Sequence, residues 1–255
     1  MINSAVFDNA PLLTSNWSSG DALLPTTPWA HELMHTLGVQ GHGNSYDCGT
    51  ETISLVTAAN PIKAYGDPFS LMGEHAFAIH PDVMIKMDLG WLSPDQVVDV
   101  TASGSYLIYP LENSAGNVKG LTLKVSPPIT NNNHSIQFDR MVVEYRQPSG
   151  FDRYLLRLDG SVFLSTYKPE GSVAREGVLV RLLYPDSAGT DTTLLLDMNP
   201  ATSYNPSRGI MQLGNVGKFA DAILPVGQTF NYQGLSITPR GANAAGAMQV
   251  DVVLP

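Results

Sequence analysis

Hydrophobic and polar residues follow two different periods along the chain, and the change falls just after Trp91. Before it, a helical period predicts a helix over residues 27–38, where a threonine can cap the start and a glycine can end it. A second helix is predicted over residues 81–89, with a proline in its first turn. Residues 41–71 are rich in glycine, asparagine and proline, which indicates mainly loop, with a short helix at residues 53–59.

Short β-rich runs replace the helical period in the rest of the chain. Glycine, proline and asparagine separate them, a pattern typical of an antiparallel sandwich and not of strands that alternate with helices. The sequence therefore predicts an α+β protein with two domains, residues 1–94 and residues 95–255, of which the second is an antiparallel β-sandwich. The predicted strands are residues 105–109, 121–125, 141–146, 162–166, 178–184, 194–197, 235–238 and 249–254.

Composition argues against some classes of partner. The 255 residues carry a net charge of −9 with an isoelectric point near 4.9, and only 15% of them are charged. Such a surface argues against binding to nucleic acid or to an anionic membrane. No run is long and apolar enough to span a bilayer, and the first residues lack the basic and apolar regions of a secretory signal. The single cysteine, Cys48, rules out an internal disulfide framework.

Three of the six histidines lie close together, in the segment HELMHTLGVQGH. On the predicted helix His31 and His35 share one face, because residues i and i+4 have Cβ atoms about 5–6 Å apart. Two imidazoles at this spacing suit one zinc ion. Glu32 lies about 100° further around the helix, where it fits the role of general base toward a water molecule held by the ion. The segment thus has the HExxH arrangement of zinc peptidases.

A zinc ion needs a third protein ligand, and His42 is the predicted one. Gly38 ends the helix and lets the chain turn back toward the metal. In the metzincin pattern HExxHxxGxxH the third histidine comes three residues after that glycine. Gly41 occupies that place here, so His42 comes one residue late, and Gly41 can absorb the bulge at little steric cost. Glu51 is the alternative third ligand, although no helical pattern surrounds it.

The segment YGDPFSLMG, residues 65–73, resembles a Met-turn, with Met72 as the methionine that lies beneath the zinc in metzincins. Together with HELMHTLG, HGNSYDCG and DLGWL, it occurs in the order typical of gametolysin-like metallopeptidases, a family of metzincins. The later segments EYRQPSGFD, GVLVRL, LLLDMNP and LPVGQTF resemble the C-terminal β domain of that family. The resemblance runs from about Thr27 to the last residue.

The resemblance implies a zinc-dependent endopeptidase that hydrolyses peptide bonds of extracellular proteins. Its catalytic part would be a metzincin-like lower subdomain, with zinc helix, Met-turn and C-terminal helix, followed by the β-sandwich. His31, His35 and His42 would hold Zn²⁺, Glu32 would act as general base and Met72 would support the site. A secreted or cell-surface location is expected for such an enzyme.

Some features depart from the family pattern. Met34 occupies a position at which the family usually has glycine. Only 30 residues precede His31, where a metzincin usually carries an upper subdomain whose edge strand binds the substrate. We therefore expect this chain to bind zinc but to cleave proteins poorly.

Two other interpretations stay open from the sequence. A non-catalytic β-sandwich that binds a partner would carry the three histidines as a remnant, and a zincin of another clan would use a carboxylate as third ligand. Glu74 and His75 follow the Met-turn and can approach the site, although surface positions are the simpler interpretation. Glu144 and Arg146, two apart on one predicted strand, are most simply a structural ion pair.

Overall fold

The computed structural model describes residues 26–54, 61–73, 79–112, 117–131, 136–147, 149–154, 176–185, 193–201, 216–219 and 221–255. Within these ranges the protein is mostly β structure. The α-helices are α1 (Thr26–Thr36), α2 (Val83–Asp88) and α3 (Val216–Phe219), and short 3₁₀ helices span Pro94–Gln96 and Gly150–Tyr154. The α-helices have 11, 6 and 4 residues, so α1 is the only one of them with more than two turns. No helix in the described ranges is both long and apolar enough to cross a membrane.

Strands form two sheets. The larger sheet has eight strands and the smaller has four. The strands in chain order are β1 (Asn44–Tyr46), β2 (Ile62–Lys63), β3 (Val97–Val100), β4 (Gly104–Ile108), β5 (Gly120–Asn131), β6 (Ile136–Glu144), β7 (Gly177–Leu183), β8 (Thr193–Leu196), β9 (Leu224–Pro225), β10 (Phe230–Tyr232), β11 (Leu235–Ala242) and β12 (Met248–Val253).

The larger sheet is mixed and the smaller one is antiparallel. The larger sheet has the order β2-β1-β8-β7-β6-β5-β3, and β9 pairs with β7 beside this path. Within it β1 runs parallel to β8 and β3 runs parallel to β5, whereas the other pairs are antiparallel. The smaller sheet has the order β10-β11-β12-β4 with antiparallel pairing throughout.

The two sheets share one apolar core. On β7, Val178, Val180 and Leu182 belong to this core, together with side chains from β10, β11 and β12. The alternate residues Leu179 and Arg181 lie on the opposite face of the sheet, because successive side chains of a strand point to opposite faces. Burial on both faces explains why β7 is an almost continuous apolar run in sequence.

Loops and helix α2 cover this second face of the larger sheet. Asp82 caps α2, since its side chain accepts hydrogen bonds from the N–H groups of Met84 and Ile85, both at 3.1 Å. Gly120 of β5 lies against Val83, and a Cβ at Gly120 would be 3.1 Å from a Val83 methyl group. The glycine therefore lets the helix pack directly on the strand.

The predicted fold class is wrong. The sequence predicted an α+β protein in which a metzincin-like lower subdomain precedes an antiparallel sandwich, and the structure differs from this prediction. The described residues contain no helical subdomain of that kind, and the larger sheet is mixed. The physical reason is long-range pairing: β1 and β2 lie in the stretch predicted to be loop, and they join the sheet through β8. Strands of three and two residues are too short to show a period of two in the sequence.

Individual elements agree better with the sequence predictions. Residues 27–38 correspond to α1, and residues 81–89 contain α2. Predicted strands overlap β4, β5, β6, β7, β8, β11 and β12. The strand predicted at residues 162–166 and most of the helix predicted at residues 53–59 lie outside the described residues. The division between residues 94 and 95 stays a prediction; β1 and β8, from either side of it, pair in one sheet.

Candidate metal site

Helix α1 and the turn after it bring three histidines together. The ring centroids of His31 and His35, one helical turn apart, are separated by 5.0 Å. Gly38 follows the helix with φ at +104°, a left-handed conformation that suits glycine. The chain then turns back, so that the His42 ring lies 5.4 Å from His31 and 5.0 Å from His35. One ligand atom from each ring lies within 4.8 Å of the other two.

A close contact between two backbones holds the loop that carries the third histidine. The N–H of Gly43 donates a hydrogen bond to the carbonyl of Met72 at 2.7 Å. A Cβ at Gly43 would lie 2.6 Å from the nitrogen of Gly73, and a Cβ at Gly73 would lie 1.8 Å from the carbonyl oxygen of Asp67. Since neither position has space for a side chain, the two glycines allow the loops to touch. His42 is thereby fixed to the turn that contains Met72.

Backbone carbonyls orient two of the imidazoles. Nδ1 of His31 lies 3.2 Å from the carbonyl oxygen of Leu71, and Nδ1 of His35 lies 2.7 Å from that of Val39. A carbonyl oxygen can only accept, so Nδ1 carries the proton of the neutral ring in both residues and leaves Nε2 with its lone pair. Partners of this kind commonly fix the tautomer of metal-binding histidines. Both rings are therefore in the form that binds a metal ion through Nε2.

Tyr65 contacts the third histidine. Its hydroxyl oxygen lies 2.9 Å from Nε2 of His42, and the two ring centroids are 4.3 Å apart. The backbone of Tyr65 has φ at +56°, which is uncommon for a residue other than glycine. Its N–H donates to the side-chain oxygen of Asn44 at 2.9 Å, which supports this conformation. Sequence patterns did not identify Tyr65 as a site residue, although it begins the quoted segment YGDPFSLMG.

The electrostatics of the site favour neutral imidazoles. Burial lowers the pKa of His31, and the hydrogen bond to the Leu71 carbonyl partly offsets this effect. Burial also lowers the pKa of His42, and the two neighbouring histidines add smaller shifts in the same direction. The charge of Glu32 is the smallest contribution to either pKa, and it acts in the opposite direction. His31 and His42 are therefore neutral at physiological pH, as metal binding requires.

Met72 is fully buried beside the site. It packs with Met34, Leu71 and Ile85 in one apolar cluster. Met34 is only 2% exposed, so this cluster accommodates the larger side chain where the family usually has glycine. Leu71 belongs to the cluster and also supplies the carbonyl next to His31, so packing of the cluster is coupled to the orientation of a candidate ligand.

The other candidate ligands do not join the three histidines. Glu51 is exposed and lies outside the group of converging side chains. Glu74 and His75 lie outside the described residues. In the part of the chain that the structure describes, the three histidines are the one group of three or more His, Cys, Asp or Glu side chains that can hold a metal ion.

Buried charges form a second polar cluster behind the loops. Arg181 pairs with Asp67 and donates to Glu144 at 3.1 Å. Nε of Arg146 donates to Asp152 at 2.7 Å, and its Nη1 lies 3.4 Å from Glu144, which confirms the ion pair predicted within that strand. These five side chains are at most 3% exposed. We call them the ion network.

The ion network is connected to the loops of the metal site. The N–H of Asp67 donates to the carbonyl of Gly43, the residue after His42, at 3.1 Å. Arg146 donates to the carbonyl of Phe69 at 2.8 Å and to that of His80 at 3.2 Å. The segments before and after the Met72 turn are thus bonded to Arg146, two residues beyond the end of β6.

No family model, curated protein or solved structure matches this chain. The resemblance to gametolysin-like metallopeptidases therefore stays a prediction that rests on sequence motifs. The structure itself establishes three histidines whose ligand atoms converge and which can hold a metal ion.

Proposed function

We propose that the chain is a zinc-dependent endopeptidase that hydrolyses peptide bonds of extracellular proteins. The observation that carries the proposal is the convergence of His31, His35 and His42, whose ligand atoms lie within 4.8 Å of one another. Three histidines with a fourth position left open are a donor set of catalytic zinc sites. The position of Glu32 next to the first ligand and the motifs shared with secreted gametolysin-like enzymes give further support.

The donor set fits zinc. Two nitrogens bound tetrahedrally at 2.0–2.1 Å from zinc are about 3.3 Å apart. Small ring rotations therefore bring the three ligand atoms onto one ion from separations of at most 4.8 Å. Imidazole nitrogens suit zinc and other transition metals, whereas magnesium and calcium prefer oxygen ligands. Within the described ranges no carboxylate joins the group, which disfavours the two oxygen-seeking ions.

In the proposed hydrolysis, the zinc ion and the side chains of the protein have different roles. Bound zinc supplies a Lewis acid that polarises a carbonyl group and brings the pKa of a water molecule toward about 7. Glu32 accepts the proton of the attacking water and delivers it to the departing amine. Its exposed carboxylate suits this role, because Glu32 follows the first ligand on α1 without belonging to the ligand group. Met72 supports the site through the apolar cluster below it.

Zinc content tests the proposed ligands. The purified chain should hold close to one zinc ion per molecule. His42→Ala should lose most of this zinc, because it removes one of three ligands. Glu51→Ala is the matched control and should keep it. Loss of the metal in Glu51→Ala with retention in His42→Ala would show that the ligand set is wrong and would favour a carboxylate ligand.

Hydrolysis tests the proposed base. Glu32→Gln preserves the shape of the side chain but cannot accept the proton. We expect unchanged zinc content and a loss of peptide hydrolysis of about 10²-fold or more. Glu51→Gln, also on the surface, should behave as the parent does. The proposed function would be overturned if the zinc-loaded parent hydrolysed no peptide, or if chelation of zinc left hydrolysis unchanged.

A further inference from the structure

A cavity of about 480 Å³ lies beside the metal site. Ala30, the residue before His31, lines it, and so does Leu71, whose carbonyl contacts His31. Ligand sites in proteins usually measure about 300–1,000 Å³. The cavity is therefore large enough for a ligand, and it adjoins the elements that carry the candidate metal ligands.

Two buried lysines form the cationic part of the lining. Nζ of Lys86 donates to the carbonyl of Leu111 at 3.2 Å, and Nζ of Lys119 donates to that of Pro110 at 3.0 Å. Lys86 is 7% exposed and Lys119 is 1% exposed. An ammonium group has three donors, yet in the described ranges this carbonyl is the sole hydrogen-bond acceptor of Lys86. A buried cation with one neutral acceptor favours an anionic partner.

The acidic residue in the lining has partners of its own. Glu112 accepts a hydrogen bond from Nε of Arg146 at 2.8 Å and one from the N–H of Gln147 at 3.1 Å. Its two oxygens are therefore engaged with other groups. Glu112, Asp152 and Glu144 act on the charge of Lys86, but each of them is paired with Arg146. Lys86 thus has no ion pair of its own among the described residues.

Two exposed aromatic side chains also line the cavity. Trp91 is 53% exposed and Phe151 is 63% exposed. Exposed apolar side chains that line one groove often mark a ligand-binding site, although single exposed ones are common. The cavity thus combines apolar walls, aromatic groups open to solvent and a buried positive charge.

We propose that this cavity binds the acidic side chain of a peptide substrate, with the carboxylate at Lys86. The inference rests on the proposed function, because the peptide is the substrate of the hydrolysis. A glutamate side chain matches the cavity in chemistry: its apolar stem suits the wall formed by Leu71 and Leu92, and its carboxylate supplies charged acceptors for the ammonium. Glutamine has the same shape without the charge.

A pair of peptides tests the proposal on the zinc-loaded chain. The peptides are identical except for glutamate or glutamine, placed in turn at each position that flanks the cleaved bond. At one position kcat/KM should favour glutamate by about tenfold or more, since hydrogen bonds to charged groups are worth roughly that factor. Lys86→Met keeps an unbranched side chain only one atom shorter, removes the charge and should abolish the preference. Lys124→Met, at an exposed position of β5, is the matched control and should keep it.

Binding separates the failure of this proposal from the failure of the proposed function. Calorimetry with zinc-loaded Glu32→Ala should show the glutamate peptide bound about tenfold more tightly than the glutamine peptide. Such binding without cleavage by the parent supports the cavity and overturns the function. Cleavage by the parent with equal rates and equal binding for both peptides overturns the cavity and leaves the function intact. Both comparisons use proteins with Lys86 present, so they hold even if Lys86→Met fails to fold.

Discussion

The metal site and the ion network are neighbouring polar clusters, and they differ in how their side chains are satisfied. In the ion network each charge faces an opposite charge, as Arg181 does with Asp67 and Glu144. In the metal site the rings of His31 and His35 are bonded through Nδ1 only to backbone carbonyls, and Nε2 remains available. One cluster is closed and fully buried, whereas the other is half-buried and can accept a ligand.

We therefore expect the ion network to stabilise the fold and the three histidines to bind an ion. The ion network fixes loops to the sheet. The side chain of Asp67 pairs with Arg181 of β7, and its N–H donates to the carbonyl of Gly43. The side chains of the metal site contribute little to the free energy of unfolding until an ion binds. Substitutions in the two clusters should therefore affect different measurements: the free energy of unfolding for the ion network, and metal affinity for the histidines.

The largest effect is expected from Arg181→Met. It removes the positive charge that faces Asp67 and Glu144 and leaves two buried carboxylates with fewer partners. Removal of one partner from a buried ion pair typically costs about 3–5 kcal/mol. Urea unfolding at neutral pH measures this loss. Arg240→Met is the matched control, because its ion pair with Asp251 is largely exposed and should contribute less than about 1 kcal/mol. Equal losses in the two variants would contradict the distinction between the clusters.

Most of the ion network could not be predicted from the sequence. Glu144 and Arg146 lie two residues apart on one predicted strand, so a local rule predicted their pair, although β6 itself ends at Glu144. Arg181 and Asp67 are 114 positions apart, and only the pairing of strands brings them together. The same reason explains the wrong fold class: β1 joins β8 through a register that no local period shows. Local spacing on one helix and one turn, by contrast, was enough to predict that the three histidines meet.

Metal binding by the three histidines should raise the free energy of unfolding. An ion that binds the folded chain alone, at a free concentration one hundred times its Kd, adds about 2.7 kcal/mol to the free energy of unfolding. We expect this increase when zinc is added to the metal-free chain, measured by urea unfolding. His35→Ala should show no such increase, because one ligand is missing. An equal increase in His35→Ala would mean that zinc acts elsewhere.

A smaller effect is expected from Tyr65→Phe. The substitution removes the hydroxyl next to Nε2 of His42 and leaves the ring and its backbone in place. Nδ1 of His42 is the ligand atom in this prediction, because the hydroxyl occupies Nε2. Loss of a group that orients a metal-binding histidine through its other nitrogen usually weakens metal affinity about 10–100-fold, and we expect the lower end because Tyr65 is 40% exposed. Competition with a chelator of known affinity measures the change. Tyr106→Phe is the control and should leave zinc affinity unchanged, because Tyr106 lies on β4 of the smaller sheet and its hydroxyl donates to the Ala102 carbonyl. Unchanged affinity in Tyr65→Phe would show that this contact does not orient His42.

The smallest expected effect is the pH dependence of stability that comes from His80, a residue next to the ion network. Burial, followed by the charge of Lys86, lowers the pKa of His80 from 6.5 to about 4. The unfolded chain therefore binds more protons than the folded chain between these two values, so stability is present above pH 6.5 and is lost as the pH falls toward 4. Since the ring is partly exposed, we expect a loss of only about 1 kcal/mol. His80→Gln cannot titrate, and its stability should fall by less than that of the parent between pH 7 and pH 4.5. Urea unfolding in the presence of a chelator measures both proteins without a contribution from bound metal. Parallel pH profiles for the two proteins would show that His80 does not carry this dependence.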